Sequence, residues 1–148
     1  MNALAKLLSA EDILLDVDVF NKSQLFEKTA KLFERRHGIN DALALKNLLA
    51  REEIGSTGLG HGVAIPHARI RGLEQEVGML VRTQRAIPFN APDDKPVSLL
   101  LFLLVPDHAN EEHLALLADA VKLFSDQNFR EQFKRCADVN GVLSLLAN

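Results

Sequence analysis

A nine-residue run from Val97 to Val105 constrains the fold of this chain more than any other segment. Eight of its nine positions are apolar, and only Ser98 is polar. A strand with one solvated face alternates apolar and polar residues, so a run without alternation indicates a strand that is buried on both faces. Such a strand belongs in the centre of a sheet that is covered on both sides. The run therefore predicts a central strand of an α/β fold.

Three shorter segments are also predicted to form strands. They cover residues 13–19, 63–65 and 77–83, and the first of them alternates around Asp16 and Asp18. Amphipathic helical patterns occur before and after these segments along the chain. Because helices precede and follow the strands, the sequence predicts a three-layer α/β/α sandwich around a small mixed β-sheet.

Side chains that favour helix ends mark two of the predicted helices. Asn21 or Ser23 is placed to cap one helix, and Gly38 supplies its left-handed end. Asn40 is placed to cap a second helix, which ends before Gly55. These residues predict two consecutive helices between the first strand and the second.

The helix after the central strand is predicted to begin at Asn110. Apolar residues recur along it at helical spacing, and those expected to face the core are Leu114, Leu117, Val121 and Phe124. Two shorter helices are predicted to begin at Ser125 and Asp138. A short helix at residues 3–8 is predicted before the first strand.

Length and composition argue against several classes of protein. A chain of 148 residues without a linker or repeat fits a single domain, residues 1–148. The net charge of −3 provides no basic patch for nucleic acid. The apolar runs are far shorter than the ~20 residues that cross a membrane. The single cysteine, Cys136, fits a reducing compartment, so we expect a cytoplasmic protein without membrane insertion.

A glycine-rich loop follows the second helix. Gly58, Gly60 and Gly62 can take positive φ, so that backbone amides can form an anion-binding nest. The loop leads to Pro66 and His67, and the proline prevents a helix from beginning there. A nucleophilic imidazole beside exposed amide donors is what a phosphate-carrying site requires.

The resemblance to a known family begins at this loop. The sequence of residues 55–67, Gly-Ser-Thr-Gly-Leu-Gly-His-Gly-Val-Ala-Ile-Pro-His, is similar to the active-site signature of phosphotransferase-system enzyme IIA domains of the mannitol/fructose type. The phrase Leu103-Leu104-Val105-Pro106, followed seven residues on by His113, looks most like the nitrogen-regulatory IIA branch. The similarity runs from about Leu15 to the C-terminus.

The resemblance implies roles for three residues. His67 is implied to accept a phosphoryl group on Nε2, with Nδ1 bonded to the backbone. His113 and Arg51 match the second histidine and the arginine of the family site, and both are implied to stabilise phosphate. No metal or cofactor is required for this chemistry. Two departures, His61 for the usual Asn and Ala68-Arg69 for the usual Gly-Lys, leave the implied nucleophile in place.

The supporting residues each have a second interpretation. Ser56 and Thr57 can donate to phosphate alongside the three loop glycines, or their hydroxyls can cap the turn instead. Arg51 can grip two phosphate oxygens, or it can be an ordinary cation at a helix C-terminus. His113 can donate to an anion at a helix N-terminus, or it can be a solvated histidine at the rim.

The resemblance implies a phosphoryl carrier that takes phosphate from an HPr-like phosphocarrier protein and signals by its phosphorylation state. Its implied targets in nitrogen- and potassium-type regulation are sensor kinases or potassium transporters. The first alternative is a IIA component of fructose or mannitol uptake. The second is a metal-dependent hydrolase using His and Glu side chains, although no His-Glu-x-x-His element is present. The glycine loop also lacks the Gly-Lys-Ser/Thr ending of a nucleotide-binding P-loop.

Overall fold

The structure, a computed structural model, describes residues 3–108 and 111–147. Within these ranges the helices are α1 Ala3–Leu7, α2 Lys22–His37, α3 Asp41–Ile54, α4 Glu111–Phe124, α5 Gln127–Arg135 and α6 Val139–Ala147. The strands are β1 Ile13–Val17, β2 Gly58–Gly60, β3 Val63–Ala64, β4 His67–Ile70, β5 Val77–Ile87 and β6 Val97–Pro106. Among the described residues, none of the helices has both the length and the apolar character needed to span a membrane.

The described strands form a mixed sheet with β6 at its centre. On one side, β5 pairs antiparallel with β6, and β1 pairs parallel with β5. On the other side, β3 and then β4 pair parallel with successive parts of β6, and β2 pairs antiparallel with β3. Eight of the ten residues of β6 are buried. The prediction that this apolar run is a central strand is confirmed.

Helices cover both faces of the sheet. Successive side chains of β6 alternate between two apolar clusters, with Leu100, Phe102 and Leu104 in one and Leu99, Leu101 and Leu103 in the other. The first cluster includes Phe26 and Phe33 of α2, and the second includes Phe124 of α4. Full burial of each such side chain contributes about 1.5–3 kcal/mol. The predicted three-layer α/β/α sandwich is therefore confirmed.

The predicted ends of α2 and α3 are confirmed. The side chain of Asn21 accepts a hydrogen bond from the backbone N–H of Gln24 at 2.8 Å, so the first candidate cap is the actual one. Gly38 ends α2 with a φ of 71°, in the left-handed region. Asn40 caps α3 by accepting from the N–H of Leu43 at 3.0 Å. Loss of such a cap costs about 0.5–2 kcal/mol.

The predicted core face of α4 is wrong in part. Phe124 is buried, but Leu114 is 57% exposed and Val121 is 37% exposed. Leu116 and Ala120 are buried in their place. Apolar residues occur around most of this helix, so their spacing alone does not identify the stripe that faces the sheet. Contact with the sheet selects that stripe and leaves Leu114 at the surface.

The beginnings of the C-terminal helices agree with the prediction only in part. The predicted cap Asn110 lies outside the described residues. Asp126 caps α5, because its carboxylate accepts a backbone N–H bond in the first turn at 3.0 Å. The predicted cap Ser125 instead donates its hydroxyl to a carbonyl of α4 at 2.7 Å. Asp138 accepts a backbone N–H bond at 2.8 Å at the start of α6, as predicted.

The strands differ from the prediction in extent and in identity. β1 ends at Val17, two residues earlier than predicted. Within it, Asp16 has a φ of 57° and the pairing register shifts between Leu14 and Val17. β5 is longer than predicted and continues to Ile87. β2 and β4 were not predicted. A Gly-Leu-Gly segment lacks strand-forming side chains, and residues 67–70 include only one β-branched residue, Ile70.

Candidate functional site

His67 is the first residue of β4, and backbone hydrogen bonds fix the two residues that precede it. Before it, the N–H of Ile65 donates to the carbonyl of Thr57 at 3.1 Å, and the carbonyl of Pro66 accepts from the N–H of Leu103 at 2.9 Å. The Nδ1 atom of His67 lies 2.8 Å from the carbonyl oxygen of Ile65. A carbonyl oxygen only accepts, so Nδ1 carries the hydrogen. In the neutral ring, Nε2 then keeps its lone pair.

A cavity of about 300 Å³ lies beside His67. Its polar side chains come from three elements, namely Arg51 of α3, His67 and Arg69 of β4, and His113 of α4. The remaining lining residues are apolar: Ala68, Leu103, Val105, Leu114 and Leu117. The structure thus brings together the three residues predicted to carry the chemistry. An apolar lining reduces screening by water and strengthens electrostatic interactions inside the cavity.

Arg51 reaches the cavity from the last turn of α3. Its Nη1 atom donates to the carbonyl of Gly55 at 2.8 Å, which ties the guanidinium to the end of its own helix. A guanidinium has several N–H donors arranged as a planar fork, so one such bond leaves donors for an anion. The position of Arg51 is therefore compatible with both of its interpretations.

His113 lies in the first turn of α4 and is 12% exposed in its side chain. Its Nε2 atom is 2.9 Å from a carboxylate oxygen of Glu76, which lies just before β5. An ionised carboxylate only accepts, so this contact places a hydrogen on Nε2 and orients the ring. Glu76 was not identified from the sequence, because nothing in its local pattern points to a residue in α4.

Arg69 is a cavity residue that the sequence analysis noted only as a departure from the family pattern. It lies two residues after His67 in β4, on the same face of the strand. Its Nη1 atom donates to the carbonyl of Asp107 at 3.2 Å. Had residues 67–70 been identified as a strand, the alternation of side chains would have placed Arg69 beside His67.

The glycine loop does not line this cavity. It forms a hairpin of β2 and β3, with positive φ at Gly60, His61 and Gly62. The N–H of His61 donates to a carboxylate oxygen of Asp93 at 2.9 Å. That bond, with a second from the N–H of Lys95, lowers the pKa of the Asp93 carboxyl. The His61 amide thus binds a side chain of the protein itself.

The hydroxyls of the loop are also engaged within the protein. Ser56 Oγ donates to the carbonyl of Phe89 at 3.1 Å and accepts from the N–H of Gly58 at 3.1 Å. Thr57 Oγ1 donates to a carboxylate oxygen of Glu52 at 2.6 Å. Neither residue lines the cavity. Their contacts match the second interpretation, in which the hydroxyls shape the turn.

The His and Glu side chains of the metal-dependent alternative do not form a ligand set in the described part of the chain. Among the described residues, no group of three or more His, Cys, Asp or Glu side chains is arranged to hold a metal ion. His61 is exposed at the hairpin, and exposed His108 lies 3.4 Å from Asp107. The described part of the chain therefore offers no ligand set for the hydrolase alternative.

Comparison with known proteins gives matches over nearly the whole chain. The family model described as phosphoenolpyruvate-dependent sugar phosphotransferase system, EIIA 2, matches residues 6–148. A nitrogen regulatory protein from Bradyrhizobium diazoefficiens is 34% identical over 144 residues, covering 97% of this chain and 94% of that protein. A fructose-specific EIIA component from Haloferax volcanii is 35% identical over 104 residues, covering 70% of this chain and 68% of that protein.

A solved structure agrees with these matches. The crystal structure of the nitrogen regulatory protein IIA-Ntr from Neisseria meningitidis has a TM-score of 0.92 to this chain. The two are 41% identical, and the match covers 98% of this chain and 99% of that one. The similarity therefore includes every element that contributes to the cavity.

Proposed function

This chain belongs to the EIIA type 2 family of the phosphoenolpyruvate-dependent sugar phosphotransferase system, and we propose that it carries its phosphoryl group on Nε2 of His67. Membership of this family supports a function as a phosphoryl carrier. The similarity to nitrogen regulatory proteins supports a regulatory role. We take residues 1–148 as one domain of this type, acting in the cytoplasm.

The observation that carries this proposal is the contact between His67 Nδ1 and the carbonyl of Ile65 at 2.8 Å. It selects the tautomer whose lone pair is on Nε2, and it limits rotation of the ring. The ring that offers this lone pair lines the cavity together with two arginines. A nucleophile and cations that stabilise phosphate oxygens are the parts that phosphoryl transfer requires.

The transfer is a displacement at phosphorus. The Nε2 lone pair of His67 attacks the phosphorus of a phosphohistidine on an HPr-like carrier, and an N–P bond forms. The donor N–P bond breaks, and its electron pair returns to the donor ring nitrogen. The Nδ1 hydrogen of His67 stays in place and remains bonded to Ile65. The equatorial phosphoryl oxygens carry the spread charge of a loose transition state.

Three side chains of the cavity stabilise that charge. Arg51 presents a planar fork that suits two phosphoryl oxygens. His113 lies in the first turn of α4, where the positive end of the helix dipole also favours an anion. Arg69 adds a further cation next to the acceptor. In this proposal, Ser56, Thr57 and the loop glycines support the backbone before His67 and do not bind phosphate.

The phosphorylated state is proposed to act as a regulatory signal. A bound phosphoryl group adds about −1.5 to −2 charges at the cavity, which changes the partners that the surface accepts. Sensor kinases or potassium transporters are the proposed targets. The similarity to the fructose-specific relative supports a second candidate function, in which phosphate passes to a sugar-uptake component. Transfer from this chain to a partner IIB domain would favour that second function.

Labelling by the phosphorylated HPr-like carrier tests the acceptor. Intact mass should show one added phosphate that is lost in acid and kept in base, as phosphoramidates are. His67→Ala should abolish the label and leave the circular dichroism spectrum unchanged. The matched control is His108→Ala, because His108 is exposed and lies outside the cavity. Labelling of His67→Ala at the wild-type rate would refute the assignment.

A further inference from the structure

A buried carboxylate lies next to the site in sequence but outside the cavity. The side chain of Glu52 is 5% exposed and follows Arg51 in the last turn of α3. It accepts from Thr57 Oγ1 at 2.6 Å and from the N–H of Thr57 at 3.1 Å. A carboxylate that is removed from water costs several kcal/mol unless partners of this kind compensate it.

A lysine from another element completes the cluster. Lys22, the first residue of α2, places Nζ 2.9 Å from a Glu52 oxygen. The same Nζ donates to the carbonyl of Phe89 at 2.9 Å and lies 4.1 Å from the centre of the Phe89 ring. These contacts hold the ammonium group in one place and let it compensate the charge of Glu52.

Hydrogen bonds lead from this cluster to the acceptor ring. Thr57, held by Glu52 through its N–H and hydroxyl, accepts from the N–H of Ile65 with its carbonyl at 3.1 Å. The carbonyl of Ile65 then accepts from His67 Nδ1 at 2.8 Å. The position of that carbonyl, which sets the tautomer and direction of the His67 ring, therefore depends on Thr57.

We propose that Glu52 is a positioning residue for phosphoryl transfer. It joins the helix end that carries Arg51 to the segment that carries His67, so that a phosphoryl group meets both at once. The inference rests on the proposed function, in which His67 is the acceptor. A carboxylate suits this role because it accepts two donors from Thr57 and one from Lys22 together. A glutamine has the same shape but only one acceptor oxygen. Its N–H₂ group would face one of these donors and could not accept a hydrogen bond from it.

The first test requires no phosphate donor. In ¹⁵N NMR spectra of the unphosphorylated protein, the His67 ring should show a protonated Nδ1 and an unprotonated Nε2. Glu52→Gln should average these two signals, because the Ile65 carbonyl no longer stays in place. Glu53→Gln is the matched control, since Glu53 is the exposed next residue and the chemical change is identical. Unchanged His67 signals in Glu52→Gln would overturn the proposal.

The second test measures transfer from potassium phosphoramidate, a small donor that needs no docking surface. Its N–P bond breaks, ammonia leaves, and the phosphoryl group bonds to Nε2. Glu52→Gln should slow labelling about 10- to 100-fold, the effect of a small misplacement of reacting groups. Equal rates in Glu52→Gln and Glu53→Gln would overturn the proposal. Absence of labelling of the wild type by both phosphoramidate and the phosphorylated carrier would instead refute the proposed function, and the NMR test would still decide the role of Glu52.

Further variants separate positioning from stability. Thr57→Val removes the 2.6 Å bond to Glu52 but keeps the Lys22 contact, so it should reproduce the NMR and rate effects if Glu52→Gln unfolds. Thr57→Ser keeps the hydroxyl, so its His67 NMR signals and its labelling rate should match those of the wild type. Asp12→Asn changes another buried carboxylate outside the cavity, and it should lower stability without moving the His67 signals. Movement of those signals in Asp12→Asn would show a general loss of stability and overturn the proposal.

Discussion

At the scale of single residues, the two cavity histidines are fixed by different kinds of acceptor. A backbone carbonyl binds Nδ1 of His67, whereas the Glu76 carboxylate binds Nε2 of His113. The first arrangement leaves a nucleophilic nitrogen on a ring that cannot turn freely. The second holds the His113 ring in the same cavity by means of a carboxylate. The two rings therefore suit different roles, one as acceptor and one as stabiliser.

Arg51→Lys tests whether Arg51 grips phosphate or only adds charge at a helix end. Lysine keeps the charge but lacks the planar fork, so we expect the thermal midpoint to change little. Loss of one charge-assisted hydrogen bond, about 1.5–3 kcal/mol, should slow labelling about 10- to 150-fold. Both quantities should be measured on one preparation, with exposed Arg71→Lys as control. Wild-type kinetics in Arg51→Lys would reduce Arg51 to diffuse positive charge.

His113→Ala should slow transfer without preventing it. In the proposed mechanism His113 stabilises charge and forms no bond to phosphorus, so one phosphate should still be accepted. Loss of one group that stabilises charge in the transition state commonly costs on the order of 10²–10³ in rate. Rapid-quench measurements of labelling should show this decrease in His113→Ala and not in His108→Ala. An unchanged rate would make His113 a residue of the rim.

At the scale of elements, a buried carboxylate also joins the segment before β1 to the end of α2. Asp12 is 3% exposed in its side chain and accepts from the N–H of Ser9 at 3.0 Å. His37 Nε2 lies 2.9 Å from it, and Arg36 Nε lies at 3.3 Å. Burial by itself would raise the pKa of Asp12, but the bonds from Ser9 and His37 outweigh it. The pKa of Asp12 is therefore lowered from its ordinary value of 3.8.

This lowered pKa predicts a loss of stability in acid. A carboxyl whose pKa is lower in the folded state contributes fully to stability above its unfolded pKa, and the contribution disappears as pH falls through the folded pKa. The free energy of unfolding, measured in urea, should therefore fall below about pH 4. Asp12→Asn should be less stable than the wild type at neutral pH, and its free energy of unfolding should fall less in acid. Exposed Asp119→Asn should follow the wild type, and a full acid response in Asp12→Asn would contradict the prediction.

At the scale of the whole molecule, the site is assembled from segments far apart along the chain. α3 supplies Arg51, β4 supplies His67, and α4 supplies His113. Pairing of β4 with the C-terminal half of β6 brings His67 opposite Leu103. The proposed acceptor and the side chains proposed to stabilise phosphate therefore come together only when β4 has joined the sheet and the helices have packed on it.

Phosphoryl transfer by this assembly should proceed without a divalent cation bound to the protein itself. In the proposed mechanism, cations of the protein provide the charge that a metal supplies in many phosphoryl-transfer enzymes. With phosphoramidate as donor, a chelator should leave the labelling rates of the wild type and of His113→Ala unchanged. Stoichiometric zinc in the purified protein, together with loss of labelling after its removal, would revive the metal-dependent alternative.

Features governed by neighbouring residues were predicted from the sequence by itself. The caps Asn21 and Asn40 and the left-handed Gly38 depend on contacts within one helical turn. The apolar run of β6, in which only Ser98 is polar, must be buried on both faces however the strands are connected. The motif at residues 55–67 identified the family and predicted that His67 is the acceptor. Each of these features is local, so the order of residues determines it.

Features governed by distant partners were decided only by the tertiary structure. The exposed side of α4 depends on how the helix contacts the sheet, so Leu114 was wrongly predicted to face the core. The partners of Glu52 and His113 come from other elements, so no spacing along the chain reveals them. Arg69 lines the cavity because His67 begins a strand, and side chains two residues apart in a strand lie on the same face. A side chain's chemistry is set by its own residue type, but its surroundings are set by contacts that form when separate segments pack together.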